Sequence, residues 1–169
     1  MRAEIAAPSE LAVKQQEFGT LYARVQQFYA HQMQLFDAHD AERWAGTFTE
    51  DAVFAVPTLD EPLRGRAALA ASVHRNRTQQ ERGKEQLRHW LGMLDVQPQP
   101  DGTLRVRAYT LVYATPHGGG PRVSRVCVLE DVLVRSRGKW RTRSRLVTRD
   151  DLGLGEVTGG VDGLAGRAA

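Results

Sequence analysis

Asp37, His89 and His117 are among the side chains of this 169-residue chain whose types can move protons at neutral pH. An imidazole titrates near pH ~6.5 when unperturbed, so it can take and give a proton there. A carboxylate held against one ring nitrogen fixes the tautomer and leaves the other nitrogen to act. Asp37 stands where a carboxylate does not help its own helix. It ends a helical run, and the partial negative charge of a helix C-terminus disfavours an anion there by ~0.3–1 kcal/mol. Either it caps something nearby, or it is there for chemistry. His89 lies in a strand-like run. His117 precedes Gly118, Gly119 and Gly120, where an exposed turn histidine is the plain reading. Spacing alone leaves two accounts of the first pair. In one, Asp37 and His89 meet and form a carboxylate–imidazole dyad. In the other, Asp37 caps the following turn and His89 is a half-buried strand residue.

The elements that position these groups can be read from periodicity. Phe18, Leu21, Tyr22, Val25, Phe28, Tyr29, Gln32, Leu35 and Phe36 follow steps of three and four, which predicts one helical face over 18–36 with Gln32 its only polar member. Asp40 reads as the N-cap of a short helix, 41–46. Residues 48–51 read as a turn, 52–56 as a strand that Pro57 stops, and 66–80 as a third helix. The second half is β-rich: 87–96, 104–115, 123–134 and 140–148, separated by Pro- and Gly-bearing turns. These runs are long for strands and predict a strongly curved, mostly antiparallel sheet with bulges. Arg141, Arg143 and Arg145 alternate with Trp140, Thr142 and Ser144, which reads as one wet face. Tyr109, Tyr113 and His117 share a parity. If that set faces a cavity, Tyr113 can donate to a carbonyl or phenol; otherwise it packs.

The fold class is therefore α+β, with three N-terminal helices packed on a curved sheet. A bent sheet around a long helix leaves an open apolar mouth suited to a small hydrophobic molecule. Residues 1–16 read as a flexible arm, 17–150 as the domain and 151–169 as a tail with six glycines, mobile or a lid. Trp44, Phe54, Trp90 and Met93 read as core or pocket wall. Apolar residues on both faces of 123–134 predict a homodimer through the face the pocket does not use.

Composition excludes several classes. No apolar run reaches 18 residues, and no apolar stretch follows Arg2, so neither a membrane span nor a secretory signal is read and a cytoplasmic setting is expected. The single cysteine, Cys127, excludes an internal disulfide and reads as a small buried strand residue. The 23 basic residues exceed the 20 acidic ones by little, and no basic cluster is interleaved with stacking aromatics, so nucleic-acid binding is not expected. The helical angles of His31, Asp37 and His39 do not converge, so no metal is expected. There is no phosphate-binding glycine loop after a strand and no Gly-x-Ser-x-Gly elbow. No cofactor is implied.

Two stretches carry a family resemblance. Phe36-Asp37-Ala38-His39-Asp40-Ala41-Glu42-Arg43-Trp44, followed by Phe48-Thr49-Glu50-Asp51-Ala52, resembles the first helix-to-strand signature of the nuclear transport factor 2-like superfamily, whose fold is a cone-shaped α+β barrel. Within it the chain is most similar to SnoaL-like polyketide cyclases and scytalone dehydratases. The strand His89-Trp90-Leu91-Gly92 and the pair Pro116-His117 match the dehydratases' histidine motifs, and Asp37 matches their helix-ending aspartate. The resemblance implies that His89 works as acid and base, that Asp37 orients it, and that His117 is a second acid or a donor to a substrate oxygen. It places Phe36 and Val56 where the dehydratases hold water with tyrosines, and Cys127 and Leu129 where they carry serine and asparagine. Acid/base chemistry survives that comparison; the dehydratases' own hydrogen-bonding set does not. Phe36, Trp44, Phe54, Val56, Leu91, Tyr109, Tyr113, Cys127 and Leu129 are the candidate substrate-binding residues. The expected function is a cofactor-free cyclase, dehydratase or isomerase of an aromatic polyketide-type intermediate. Small subunits of ring-hydroxylating dioxygenases resemble the chain over 37–54 and 140–151. They imply the alternative, a non-catalytic subunit or binding module.

Overall fold

A computed structural model describes residues 10–152. The chain forms α1 (Glu10–Asp37), α2 (Ala41–Ala45), β1 (Phe48–Ala55), β2 (Leu63–Arg64), α3 (Gly65–Gly83), β3 (Glu85–Pro98), β4 (Leu104–Pro116), β5 (Arg122–Ser136) and β6 (Lys139–Arg149), then a single 3₁₀ turn, Asp150–Leu152. The six strands form one sheet in the order β2-β1-β6-β5-β4-β3. β1 runs parallel to β6, and every other pairing is antiparallel. The class is α+β, as expected. The sheet is mixed and does not close, since β2 and β3 are its two edges.

α1 begins well before the apolar stripe. Residues 10–16, read above as arm, are helical, in keeping with a run rich in good helix formers. The Gly-rich segment 153–169 lies outside the described residues. Phe48 to Asp51 belongs to β1 rather than to a turn. Phe48 pairs with Thr142 and Val53 with Ser144, so the exposed acidic pair Glu50-Asp51 sits in a large bulge of β1.

Two apolar clusters fix the layers. Val25 and Tyr29 of α1 pack on Val96, Leu104, Val106, Leu129 and Leu133 of the sheet. Leu35, Trp44, Phe48, Ala52, Leu69 and Val73 lock the end of α1 to α2, β1 and α3. Gln32, the polar member of the α1 face, is fully buried and fully used. Its Nε2 donates to Thr47 Oγ1 (2.8 Å) and Thr142 Oγ1 (3.3 Å), and its Oε1 accepts from Arg145 Nη2 (2.5 Å).

Three further bulges curl the sheet, each by placing extra residues on one strand of a pair. On β3, Gly92 pairs with Tyr109 and Asp95 with Arg107, so Met93 and Leu94 face a single residue, and Met93 takes φ 52°. On β5, Ser124 is left out between Val123 and Arg125. On β6, Leu133 pairs with Thr142 and Val132 with Ser144, so Arg143 is left out. This last bulge overturns the reading of Arg141, Arg143 and Arg145 as one wet face. It restarts the alternation after Thr142, and Arg145 turns inward to 2% exposure.

Candidate active site

The end of α1 is shaped by its cap. The amide of Asp40 donates to the Leu35 carbonyl and that of His39 to Phe36 (3.0 Å each), with His39 in the left-handed region at φ 56°. This is the Schellman arrangement, and it makes Asp37 the last helical residue, held against the sheet. Burial lowers the pKa of His39 from its ordinary value. Asp40 precedes α2 as predicted, but its side chain does not cap the helix; it accepts from Arg43 Nη1 at 3.1 Å.

Asp37 and His89 meet. Nδ1 of His89 donates to Asp37 Oδ1 at 2.6 Å, and the His89 backbone amide donates to Asp37 Oδ2 at 3.0 Å. Both carboxylate oxygens are spent on one residue, so ring and backbone are pinned together. Because a carboxylate only accepts, this bond places the proton on Nδ1 and leaves the Nε2 lone pair free. The Phe36 ring stands edge-on to the imidazole, centroids 5.0 Å apart, and Trp44 packs behind Phe36 at 4.9 Å. Among the described residues, no bond supports the reading in which Asp37 caps the following turn.

His89 lines a cavity of about 560 Å³ between α1, α2, α3, the loop after β1 and the inner face of the sheet. Of the predicted wall, Phe36, Trp44, Phe54, Val56, Cys127 and Leu129 line it with His89. Burial pushes the Cys127 thiol pKa up, so this residue stays a neutral part of the wall.

Leu91, Tyr109, Tyr113 and His117 are elsewhere. Leu91 faces inward but packs into the cluster around Val25 and Tyr29. On β4 the buried set is Leu104, Val106, Ala108, Thr110, Val112 and Ala114, so Tyr109 and Tyr113 belong to the outer face with Arg105 and Arg107. Tyr109 is 47% exposed, with the Arg107 guanidinium over its ring. His117 is exposed in the turn after β4, where its amide donates to the Lys84 carbonyl at 2.8 Å. A signal for this was present: Arg105 and Arg107 mark the wet parity of the strand, and the tyrosines share it. Trp90 and Met93, read as core or wall, also face outward, at 68% and 80% exposure.

Sequence reasoning missed the polar part of the wall. Thr110, Arg125, Arg145 and Arg149 line the cavity from the sheet, and Arg75, Asn76 and Gln79 from α3. Arg145 donates through Nε and Nη2 to Asp131 at 2.9 and 2.7 Å, and Tyr29 donates to Asp131 Oδ2 at 3.0 Å. Burial works against the Arg145 charge, but Asp131 outweighs it and holds the guanidinium pKa above its ordinary value. Burial and then the Asp131 charge hold the Tyr29 phenol well above its own. Arg149 is held up by its hydrogen bonds to Asp151, at 3.0 and 2.6 Å. Among the described residues, no group of three or more His, Cys, Asp and Glu could hold a metal ion, and no helix is long and apolar enough to cross a membrane.

No curated protein matches the sequence. Solved structures do. Aln2 from a Streptomyces species is 34% identical over 87% of this chain and 96% of its own, with a TM-score of 0.73. ActVI-ORFA from Streptomyces coelicolor is 34% identical over 78% and 96%, also at 0.73. A protein from Catenulispora acidiphila in complex with S-DNPA is 36% identical over 82% and 99%, at 0.72. The SnoaL-like domain model matches residues 20–146, most of the described fold, including both Asp37 and His89. The chain belongs to the SnoaL-like domain family.

Proposed function

We propose that the cavity is the active site of a cofactor-free cyclase, dehydratase or isomerase, acting on an aromatic polyketide-type intermediate of secondary metabolism. One observation carries the reading: a histidine fixed by a carboxylate at 2.6 Å, in the wall of a cavity of about 560 Å³ that has both apolar and polar lining. His89 Nε2 takes a proton from the substrate and returns it to another atom, carbon or departing oxygen. Asp37 holds the tautomer and faces the imidazolium charge while it lasts. The resemblance to SnoaL-like polyketide cyclases supplies the substrate class. The related protein in complex with S-DNPA supports a small-molecule ligand. His117 and Tyr113 have no part in this reading, because neither lines the cavity.

The test uses the purified chain alone, incubated with ring-forming polyketide intermediates and followed by chromatography and mass spectrometry. Turnover without added metal, nucleotide or second protein is the expected result. Turnover that appears only with a large iron-containing partner subunit would instead support the small-subunit reading.

The same proposal includes a homodimer. Trp90, Leu111 and Val126 are cross-strand neighbours on the outer face, and Tyr109 and Val128 form the next row. Trp90, Met93, Tyr109 and Val126 are exposed, a contiguous apolar patch of the kind that marks an association surface. A second copy is its occupant. The wild-type chain is expected to run at twice the monomer mass in light scattering, and Trp90→Glu with Val126→Glu at the monomer mass with unchanged circular dichroism. A wild-type monomer at micromolar concentration would sink the dimer.

A further inference from the structure

The proposed reaction develops charge on a substrate oxygen, and a hydrogen-bond donor has to meet it. The side chains that the sequence offered for this task lie outside the cavity, but Thr110 lies in its wall. Thr110 is the one hydroxyl in the inward row of β4, between Ala108 and Val112. It is 6% exposed, and its Oγ1 is buried with no hydrogen-bond partner among the described residues. Its direct cross-strand neighbours are Leu91 and Cys127, neither of which brings a strong acceptor. Valine has the same shape, fits the row of Val106, Ala108 and Val112, and would bury no unpaired polar atom. A hydroxyl kept here without a partner is a cost to the empty protein.

Its position relates it to the dyad. Leu91 pairs with Thr110, and His89 pairs with Val112. His89 and Thr110 are therefore diagonal neighbours on one face of adjacent strands, roughly 7–8 Å apart between their backbones. A single aromatic ring with its substituent bridges such a gap.

We infer that Thr110 binds an oxygen on the ring whose proton His89 moves, which makes the substrate a phenol or ring ketone rather than a plain hydrocarbon ring. The inference rests on the active-site reading above and deepens it. In the reaction no bond to Thr110 forms or breaks; its hydroxyl donates to the oxygen that becomes an enolate or phenolate when His89 takes the proton.

The test uses the full chain and two near-isosteric probes, 1-naphthol and 1-methylnaphthalene, titrated calorimetrically. The readout is the ratio of their affinities. Thr110→Val is expected to lower the preference for 1-naphthol about tenfold, leave 1-methylnaphthalene unchanged, and keep or raise the melting temperature of the ligand-free protein. Thr110→Ser is expected to keep the preference. A hydroxyl that only supports the fold would behave differently: Thr110→Val would lower the melting temperature and weaken both probes alike, and that result overturns the assignment. So does an unchanged ratio. Should the valine variant fail to fold, Thr110→Ala is read in the same way. If neither probe binds the wild-type chain, the cavity reading itself falls, and this assignment with it; an unchanged ratio sinks Thr110 alone.

Discussion

His89→Ala is expected to lower turnover by ~10²–10⁴ with the fold intact, the range that a positioned general acid–base contributes. The side chain sits at the cavity wall, and its removal leaves the Asp37–backbone bond in place but frees Asp37 Oδ1, a cost to stability of about 1–3 kcal/mol that the fold should survive. Asp37→Asn is the more telling variant. The aspartate accepts two bonds from one residue, from the ring Nδ1 and from the backbone amide. Asparagine has one acceptor oxygen and cannot serve both. If it keeps the backbone amide, its NH₂ group faces Nδ1, and the imidazole shifts its proton to Nε2, the wrong tautomer for a base. The expected result is a loss in kcat with KM nearly unchanged. The measurement is steady-state turnover of the intermediate that the wild-type chain converts. Wild-type rates in both variants, with native circular dichroism, would remove the dyad from the mechanism.

Asp131→Ala is expected to have the largest effect on stability, a loss of ~3–5 kcal/mol in urea unfolding, because it leaves a buried guanidinium unpaired. Asp131 is the acceptor for two Arg145 nitrogens and the Tyr29 hydroxyl, and both charged side chains are at most 2% exposed. For a domain whose whole stability is ~5–15 kcal/mol, that is a large share. The paired change Asp131→Leu with Arg145→Met should cost less than Asp131→Ala, since it leaves no buried charge unpaired, although the Tyr29 hydroxyl and Gln32 Oε1 each lose a partner. A single variant within ~1 kcal/mol of wild type would mean that the ion pair is not closed off from water.

How much of this was legible in the sequence depends on whether a signal was local. The α1 face was, because a period of 3.6 needs only one helix to express it. Gln32 stood out as its polar exception, and the structure gives it three partners. The four long strands were legible from composition and turns. The meeting of Asp37 with His89 was not a matter of periodicity, since 52 residues separate them; the family resemblance carried it. What failed was facing. Alternation along a strand is reliable only until a bulge, and no residue type announces one at Ser124 or Arg143. Arg145 was therefore placed in water when it is buried. Tyr109 and Tyr113 share their parity with His117, and that parity faces outward. Their neighbours Arg105 and Arg107 already named the wet side of that strand.

The bulge at Arg143 has a further consequence, for how such a chain can change length. Loss of that one residue would leave Thr142 opposite Leu133 and Ser144 opposite Val132, with Arg145, Val147 and Arg149 still turned to the cavity. Loss of one residue from the regular stretch after it would exchange the two faces for everything downstream, sending Leu146 inward and the cavity arginines out. Position 143 is thus a tolerant seam in an otherwise frame-sensitive strand. There, descendants of this sequence can trade curvature, and with it the room available to a ligand, without rewriting the lining of the cavity.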